Sequence, residues 1–233
     1  MIRIVQLANR VHIWPRFLDY KFKGSTMFRL SLLSALAMIS LALPLQAFSA
    51  EKIQAASAAA TELDPFDPNV EQYLEEYDQV YEQEFGESPW YLEGANVWGT
   101  CYRQSCPVWV QVVKSEQRLY LWVNGSVTNS WAVSTGLAKG HETPRMDRHP
   151  NGRIYTKYSS NKFPGGDYKG LGNMPYAIFI QGGFALHGTP KGNWSKLGRR
   201  ASHGCIRQHP DNARYLNQLV RQNGIQNVWI TVQ

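Results

Sequence analysis

The sequence predicts a mainly β domain, a sandwich or barrel with one late α-helix, preceded by an acidic amphipathic helix. From Pro107 onward, short segments rich in Val, Leu, Tyr and Trp alternate with turns rich in Gly and Asn. Asn124-Gly125 separates two such segments and is a strong signal for a tight hairpin turn. No helical pattern interrupts these segments until about residue 211. Consecutive short strands of this kind favour a sandwich or a barrel.

An amphipathic helix is predicted over about residues 68–85, because apolar residues recur at helical spacing after Asp67-Pro68 and stop before Gly86. A second helix, over about residues 211–223, has Pro210 near its start and Gly224 at its end. The predicted strands are 108–113, 118–123, 126–133, 154–158, 176–181, 184–187 and 227–232.

The chain has 233 residues and a formal net charge of +6, which is spread unevenly. Residues 51–100 carry a net charge of −11, whereas residues 101–233 carry +12. A basic domain attracts polyanions. Because the sequence holds no nucleic-acid-binding motif, we expect no nucleic-acid partner.

Residues 1–50 are interpreted as an extended n-region followed by a secretory signal peptide. The apolar run 30–45 is near the upper length for a signal peptide and short for a membrane span. Ala47-x-Ser49 satisfies the small-x-small cleavage preference. We therefore expect an exported protein of the periplasm or cell envelope. The alternatives are an uncleaved membrane anchor and, for residues 1–26, a misassigned start.

The acidic helix has two interpretations that the sequence alone does not separate. It packs its apolar stripe on the β domain, or it is an arm that binds a partner or inhibits the domain by lying over its basic face. The small and polar residues 51–66 before the helix predict a linker.

The three cysteines divide into a close pair and a single residue. Cys101 and Cys106 are close in sequence, and in an oxidising compartment such a pair favours a disulfide, with two reduced thiols as the alternative. That pairing leaves Cys205 free, as a nucleophile requires.

Cys205 lies in the motif Ser202-His203-Gly204-Cys205-Ile206-Arg207. A thiolate forms near neutral pH only beside a base or in an electropositive setting. The better candidate for the base is His187, which ends an apolar run of strand propensity upstream of the motif. One alternative is an inert, buried cysteine. Another is a metal site, although the spacing is not typical of zinc; its ligands would be His187, His203, Cys205 and His209.

This pattern resembles the L,D-transpeptidase catalytic domain, the YkuD-like family, whose signature is a histidine, a gap, then Ser/Thr-His-Gly-Cys, an apolar residue and Asn or Arg. The resemblance covers about residues 107–233, which we assign to the catalytic domain. It implies an L,D-transpeptidase-type β-sandwich with the catalytic cysteine at a sheet edge. Residues 51–106 then contain the linker, the acidic helix and the cysteine pair.

The resemblance implies that Cys205 is the nucleophile and that His187 takes the thiol proton and later supplies it to the leaving amine. In the family, the residue after this histidine orients the imidazole. Because Gly188 has no side chain, only its backbone carbonyl is available here.

The rest of the motif is implied to form the pocket. Backbone N–H groups around His203, Gly204 and Cys205 hold the oxyanion. Ser202 and His203 order the site. Arg207 binds a substrate carboxylate, with a structural ion pair as its alternative.

The implied substrate is a peptidoglycan stem tetrapeptide. The thioester forms at the diamino-acid carbonyl as D-Ala leaves, and it passes to an amine of a neighbouring stem or of a wall-anchored acceptor protein. Transfer to water would make the chain an L,D-carboxypeptidase or endopeptidase, and a vestigial site would make it a non-catalytic wall-binding protein. We expect no cofactor and no metal. An anionic wall polymer fits the basic domain.

Two loop-rich segments, 137–153 and 159–175, are expected to form lids or walls of the site. His141 and His149 are expected to be solvated loop residues. The family often has Thr-Pro-x-Gly here, but Arg145 and Met146 follow Thr143-Pro144, and the next glycine is Gly152. Tyr158 and Trp194 either line the substrate groove or have ordinary packing roles. Arg199 and Arg200 either contact an anionic substrate or are solvated.

Overall fold

The computed structural model describes residues 64–90, 101–159 and 166–233. The five strands of the larger sheet are β1 (Val108–Val113), β2 (Arg118–Val123), β3 (Ser126–Ala132), β4 (Met146–Arg148) and β8 (Val228–Val232). Their order is β3-β2-β1-β8-β4. Strand β8 runs parallel to β1, and the other neighbours are antiparallel.

Strand β1 and the hairpin of β2 and β3 show why these residues form a sheet. Val108, Val110 and Val112 are fully buried and alternate with residues that face the other side of the sheet. Asn124 and Gly125 join β2 to β3, and both have positive φ, as a type I′ turn requires. The predicted hairpin is confirmed.

The smaller sheet contains β5 (Ile178–Gln181), β6 (Phe184–Gly188) and β7 (Ile206–Gln208), in that order. Strand β6 is antiparallel to β5 and parallel to β7. One apolar core joins residues of both sheets to Leu216 and Val220 of the late helix α2 (Pro210–Asn223). The mainly β fold with one late helix is therefore confirmed.

The acidic helix α1 (Val70–Phe85) packs on the β domain. Its buried stripe contacts an aromatic cluster that includes Tyr155 and Phe179. Arg153 Nε donates to Asp78 of the helix over 3.0 Å, and the Trp90 indole donates to the same carboxylate over 3.0 Å. The docking interpretation of α1 is confirmed.

Several predicted boundaries are wrong. Helix α1 begins at Val70 because the Asp67 side chain accepts from the Asn69 N–H, which caps a preceding turn. Residues 154–158 form only an isolated bridge from Ile154 to Ile178, since the following residues turn into the aromatic cluster. Strands β4 and β7 were not predicted because three residues are too few to show an alternation.

Cys101 and Cys106 are joined by a disulfide, and Cys205 is free.

Three predictions concern residues outside the described ranges: the signal peptide, the membrane-anchor alternative and the linker over residues 51–63. No helix within the described ranges is long and apolar enough to cross a membrane.

Candidate active site

The pairing of β6 with β7 brings the two halves of the motif together. His187 is paired with Arg207, and Leu186 with Ile206. Leu186 and Ile206 face the core and are fully buried. Because side chains alternate along a strand, His187 and Arg207 lie on the opposite face, and Cys205, two residues before Arg207, continues that alternation. The structure thus places the predicted nucleophile and base on one face of the smaller sheet.

His187 is buried, and its Nδ1 lies 2.6 Å from the carbonyl oxygen of Gly188. Burial lowers the pKa of this imidazole to about 3, so the ring is neutral at physiological pH. A carbonyl oxygen only accepts hydrogen bonds, so Nδ1 carries the proton and donates. Nε2 then has a lone pair and can accept a proton.

Gly188 fits a position that has no room for a side chain. A Cβ built there would lie 3.0 Å from Pro175 Cγ and 3.0 Å from Pro210 Cα. Its own N–H donates to the Pro175 carbonyl over 2.7 Å. The carbonyl that accepts the hydrogen bond from His187 Nδ1 is therefore held in place by packing and by a backbone hydrogen bond.

The Cys205 thiol is partly buried, and Sγ lies 3.4 Å from the carbonyl oxygen of Gly183, to which it donates. Burial raises the pKa of this thiol to about 11, and the negative charge of Asp64 acts in the same direction. The backbone of Ala185 and the charge of Arg207 act in the opposite direction. No hydrogen bond joins Sγ to the His187 imidazole in the described part of the chain, and the cysteine is a thiol here.

The loop around the nucleophile is held by side-chain hydroxyls. The Gly204 N–H donates to Ser202 Oγ over 3.2 Å, and that hydroxyl donates to the Cys205 carbonyl over 2.5 Å. The Gly204 carbonyl accepts from Thr143 Oγ1 over 2.6 Å. Of the expected oxyanion donors, the N–H of Gly204 is thus already bonded to a side chain in this structure.

Arg207 is half-buried, and its guanidinium has two uncharged acceptors, a backbone carbonyl and an imidazole nitrogen. Its guanidinium donates to the Ala201 carbonyl over 3.0 Å and lies 3.4 Å from Nδ1 of His203. Burial lowers the pKa of His203, which favours the neutral ring as an acceptor. Within the described ranges Arg207 forms no ion pair with a carboxylate, so the ion-pair alternative finds no support there.

Thr143 and His141 belong to the site, although sequence reasoning assigned neither of them a role there. The buried Thr143 hydroxyl accepts from the Gly136 N–H over 2.8 Å and so links two loops to the motif. The ring of His141 is half-buried and lies 5.3 Å from the ring of His203, where a solvated loop residue was expected. The Thr-Pro pair was the available sequence signal for this loop.

His149 is also half-buried, but its Nδ1 contacts the Val228 carbonyl of the larger sheet. Tyr158 is fully buried in the aromatic cluster under α1, and Trp194 donates to the Thr189 carbonyl over 2.9 Å. Arg199 and Arg200 are exposed.

No group of three or more His, Cys, Asp or Glu side chains that could hold a metal occurs among residues 64–90, 101–159 and 166–233. His209 instead accepts from the Asp211 N–H at the start of α2.

Three residues that the sequence assigned to a linker lie at the motif. Pro65 and Phe66 pack on the backbone of Gly204, and Asp64 is near enough to affect the Cys205 thiol. Their local sequence gives no signal for this position.

A model of the L,D-transpeptidase catalytic domain family matches residues 107–230. No curated protein matches the chain. Among solved structures, an L,D-transpeptidase from Mycobacterium smegmatis is 22% identical, with 55% of this chain and 59% of that chain covered and a TM-score of 0.45. An L,D-transpeptidase from Stackebrandtia nassauensis is 16% identical, with 68% and 76% covered and a TM-score of 0.43. The match thus spans less than two thirds of the first of these structures.

Proposed function

The chain belongs to the L,D-transpeptidase catalytic-domain family, and from that premise we propose that it is a cysteine-dependent acyltransferase acting on peptidoglycan stem peptides. The observation that supports the proposal is the parallel pairing of β6 with β7. It presents Cys205, the proton-accepting Nε2 of His187 and the guanidinium of Arg207 on one face.

In the proposed acylation, Cys205 attacks the carbonyl of the diamino acid in a stem tetrapeptide. The thiol proton goes to Nε2 of His187, and the C–N bond to D-Ala breaks as that proton is delivered to the leaving amine. The products are D-Ala and a thioester on Cys205. In the second half, an acceptor amine attacks the thioester, His187 takes the amine proton, and the cysteine is released as a thiol.

The negative charge that develops on the carbonyl oxygen is stabilised by backbone N–H groups. Because Ser202 Oγ already holds the Gly204 N–H, we assign this role to the N–H groups of His203 and Cys205. Gly204, at a φ of 127°, gives the loop the backbone conformation that directs them. Ser202 and Gly204 act by positioning the loop.

Arg207 is proposed to bind a carboxylate of the donor peptide. A partly buried guanidinium whose partners are uncharged retains its attraction for an anion, and its planar fork suits a carboxylate. Its charge also favours the thiolate form of Cys205. One residue thus serves both substrate binding and nucleophile activation.

The cellular setting is part of the same proposal. We propose that the chain is exported and works on the wall in the periplasm or cell envelope, without a cofactor. The acceptor is a neighbouring stem or a wall-anchored protein. Fractionation of cells that produce the full chain, followed by immunodetection, tests the location, and recovery in the cytosol would contradict it.

The product of the thioester distinguishes a transferase from a hydrolase. The full chain is incubated with purified tetrapeptide muropeptides, and the products are identified by mass spectrometry, with Cys205→Ala as the control. We expect dimers joined through two diamino acids. Tripeptide monomers alone would instead identify a carboxypeptidase. Binding to wall sacculi without turnover by the parent protein would identify a non-catalytic wall-binding protein.

A further inference from the structure

The residues before α1 pack directly on the segments that hold the nucleophile. A Cβ built on Gly204 would lie 3.0 Å from Pro65 Cγ and 3.0 Å from Phe66 Cε2. A Cβ built on Gly183 would lie 2.7 Å from Pro65 Cα. Gly204 precedes Cys205 in the chain, and Gly183 accepts the thiol hydrogen bond. Pro65 therefore spans both segments beside the sulfur.

Phe66 extends this contact towards the other side of the site. Its ring lies edge-on to Phe184, with 5.2 Å between the centroids, and 6.2 Å from the ring of His141. His141 in turn contacts His203 of the motif. Yet Phe66 remains 44% exposed, so it lies across the surface of the site and is not part of the core.

The position of residues 64–66 is set by α1. The Phe66 N–H donates to Asp64 Oδ1 over 3.0 Å, and the Asp67 N–H donates to the Asp64 carbonyl over 3.0 Å. This turn leads into α1, which Arg153 and the aromatic cluster fix to the domain. The contacts of Pro65 and Phe66 with the motif, by contrast, are apolar, and the charge of Asp64 also acts on His203 of the motif. We expect the turn to leave the motif while α1 stays docked.

These residues also oppose activation of the thiol. Burial is the main cause of the raised pKa of Cys205, and the Asp64 carboxylate raises that pKa further. Arg207 is the charged group that acts in the opposite direction. Displacement of residues 64–66 would remove Asp64 and expose the sulfur, while Arg207, held by the motif itself, would remain.

We propose that residues 64–66, here called the strap, are an autoinhibitory segment that must leave the motif before a donor peptide can reach Cys205. The strap moves at Asp67–Asn69, and α1 remains a fixed part of the domain. The inference rests on the proposed function for the identity of the substrate. It does not rest on that function for the accessibility of the thiol, which can be measured by itself.

The test is the rate at which iodoacetamide alkylates the full chain, followed by intact mass. Cys205 is the free cysteine, since Cys101 and Cys106 are bonded to each other. We expect the double variant P65G/F66A to react about tenfold faster near neutral pH, which is the effect of lowering a thiol pKa by one unit. Asp64→Asn keeps an acceptor for the Phe66 N–H and removes the charge, so it should give a smaller increase.

The matched control is Phe85→Ala. Phe85 is 40% exposed at the far end of α1, where its ring stacks on Tyr81. This variant should react at the rate of the parent. Melting temperatures by circular dichroism verify that each variant is folded, and Asp64→Asn keeps the test valid if the double variant does not fold.

An alkylation rate in both folded strap variants that equals or falls below that of the control would overturn the proposal. The same variants are then given tetrapeptide. Faster alkylation without peptide acylation would support the strap and count against the proposed function. Peptide acylation by the parent, with no rate change in the strap variants, would overturn the strap and leave the proposed function standing.

Discussion

Nδ1 of His187 lies 2.6 Å from the carbonyl oxygen of Gly188, the next residue in the chain. This contact orients the imidazole without a second side chain, because the acceptor belongs to the backbone. It also fixes the tautomer in which Nε2 accepts a proton. General-base catalysis by His187 therefore depends on this pair.

Gly188→Ala should displace the carbonyl that orients His187, because the new methyl group would meet Pro175 and Pro210 at 3.0 Å. We expect a loss of about 1–3 kcal/mol in unfolding free energy from overpacking. Acylation should fall by about 10²-fold, as for other small misplacements of catalytic groups. Denaturant unfolding and stopped-flow acylation measure the two effects. Gly192→Ala is the control, since nothing lies within 4 Å of its Cβ position, and an equal loss there would refute the explanation.

His187→Ala should lower the rate of acylation by about 10²–10⁴-fold, the usual contribution of a general base. The measurement is the single-turnover rate of thioester formation, with the melting temperature as a check on folding. A variant that acylates as fast as the parent would show that another group removes the thiol proton.

The buried, neutral His187 should also make stability depend on pH. Its folded pKa is about 3, below its ordinary value of 6.5, so the unfolded chain binds a proton between these values that the folded chain does not. The contribution of neutral His187 to the free energy of unfolding is therefore fully present above pH 6.5. It is lost as the pH falls towards 3, by up to about 1.4 kcal/mol per pH unit. Urea unfolding from pH 7 to pH 4 should show this slope, reduced in His187→Gln. An equal slope in both proteins would contradict the assignment.

Thr143→Val should loosen the motif, because the buried hydroxyl joins the Gly136 N–H to the Gly204 carbonyl. Two groups would lose their partner, at a cost of about 1–3 kcal/mol for each that stays buried and unsatisfied. Activity should fall as well. Thr128→Val is the control, since that threonine is exposed on β3. Comparable losses of stability in both variants would argue against the linking role.

Arg207→Gln should weaken use of the donor peptide by about tenfold or more, because a charge-assisted hydrogen bond to a carboxylate is lost. The comparison is kcat/KM for donors with free and with amidated carboxylates. The parent should distinguish between them and the variant should not. Arg214→Gln, on the exposed side of α2, should behave as the parent. Undiminished discrimination in Arg207→Gln would mean that another group binds the carboxylate.

The sequence predicted best what local patterns encode. Strands β1 and β2 were correct to the residue because buried valines and leucines alternate there. The placement of His187 and Cys205 on one face of the smaller sheet agrees with a motif of two separated parts. The late helix was found from its apolar face and its terminal Pro and Gly.

What the sequence did not predict depends on contacts between distant segments. Tyr155 and Tyr158 were taken for strand residues, yet they enter the cluster that receives α1. Pro65 and Phe66 were placed in a linker because no local pattern shows that they contact Gly204, far along the chain. His141 likewise reaches His203 only in the folded chain.

The most direct test of the central claim is the intact mass of the full chain after exposure to a carbapenem, whose strained ring acylates an active cysteine nucleophile. We predict one adduct per chain in the parent, no adduct in Cys205→Ala and slow formation in His187→Ala. An adduct that persists in Cys205→Ala would contradict the assignment of Cys205 as the nucleophile. The same conclusion would follow if a folded parent, whose thiol reacts with iodoacetamide, formed no adduct.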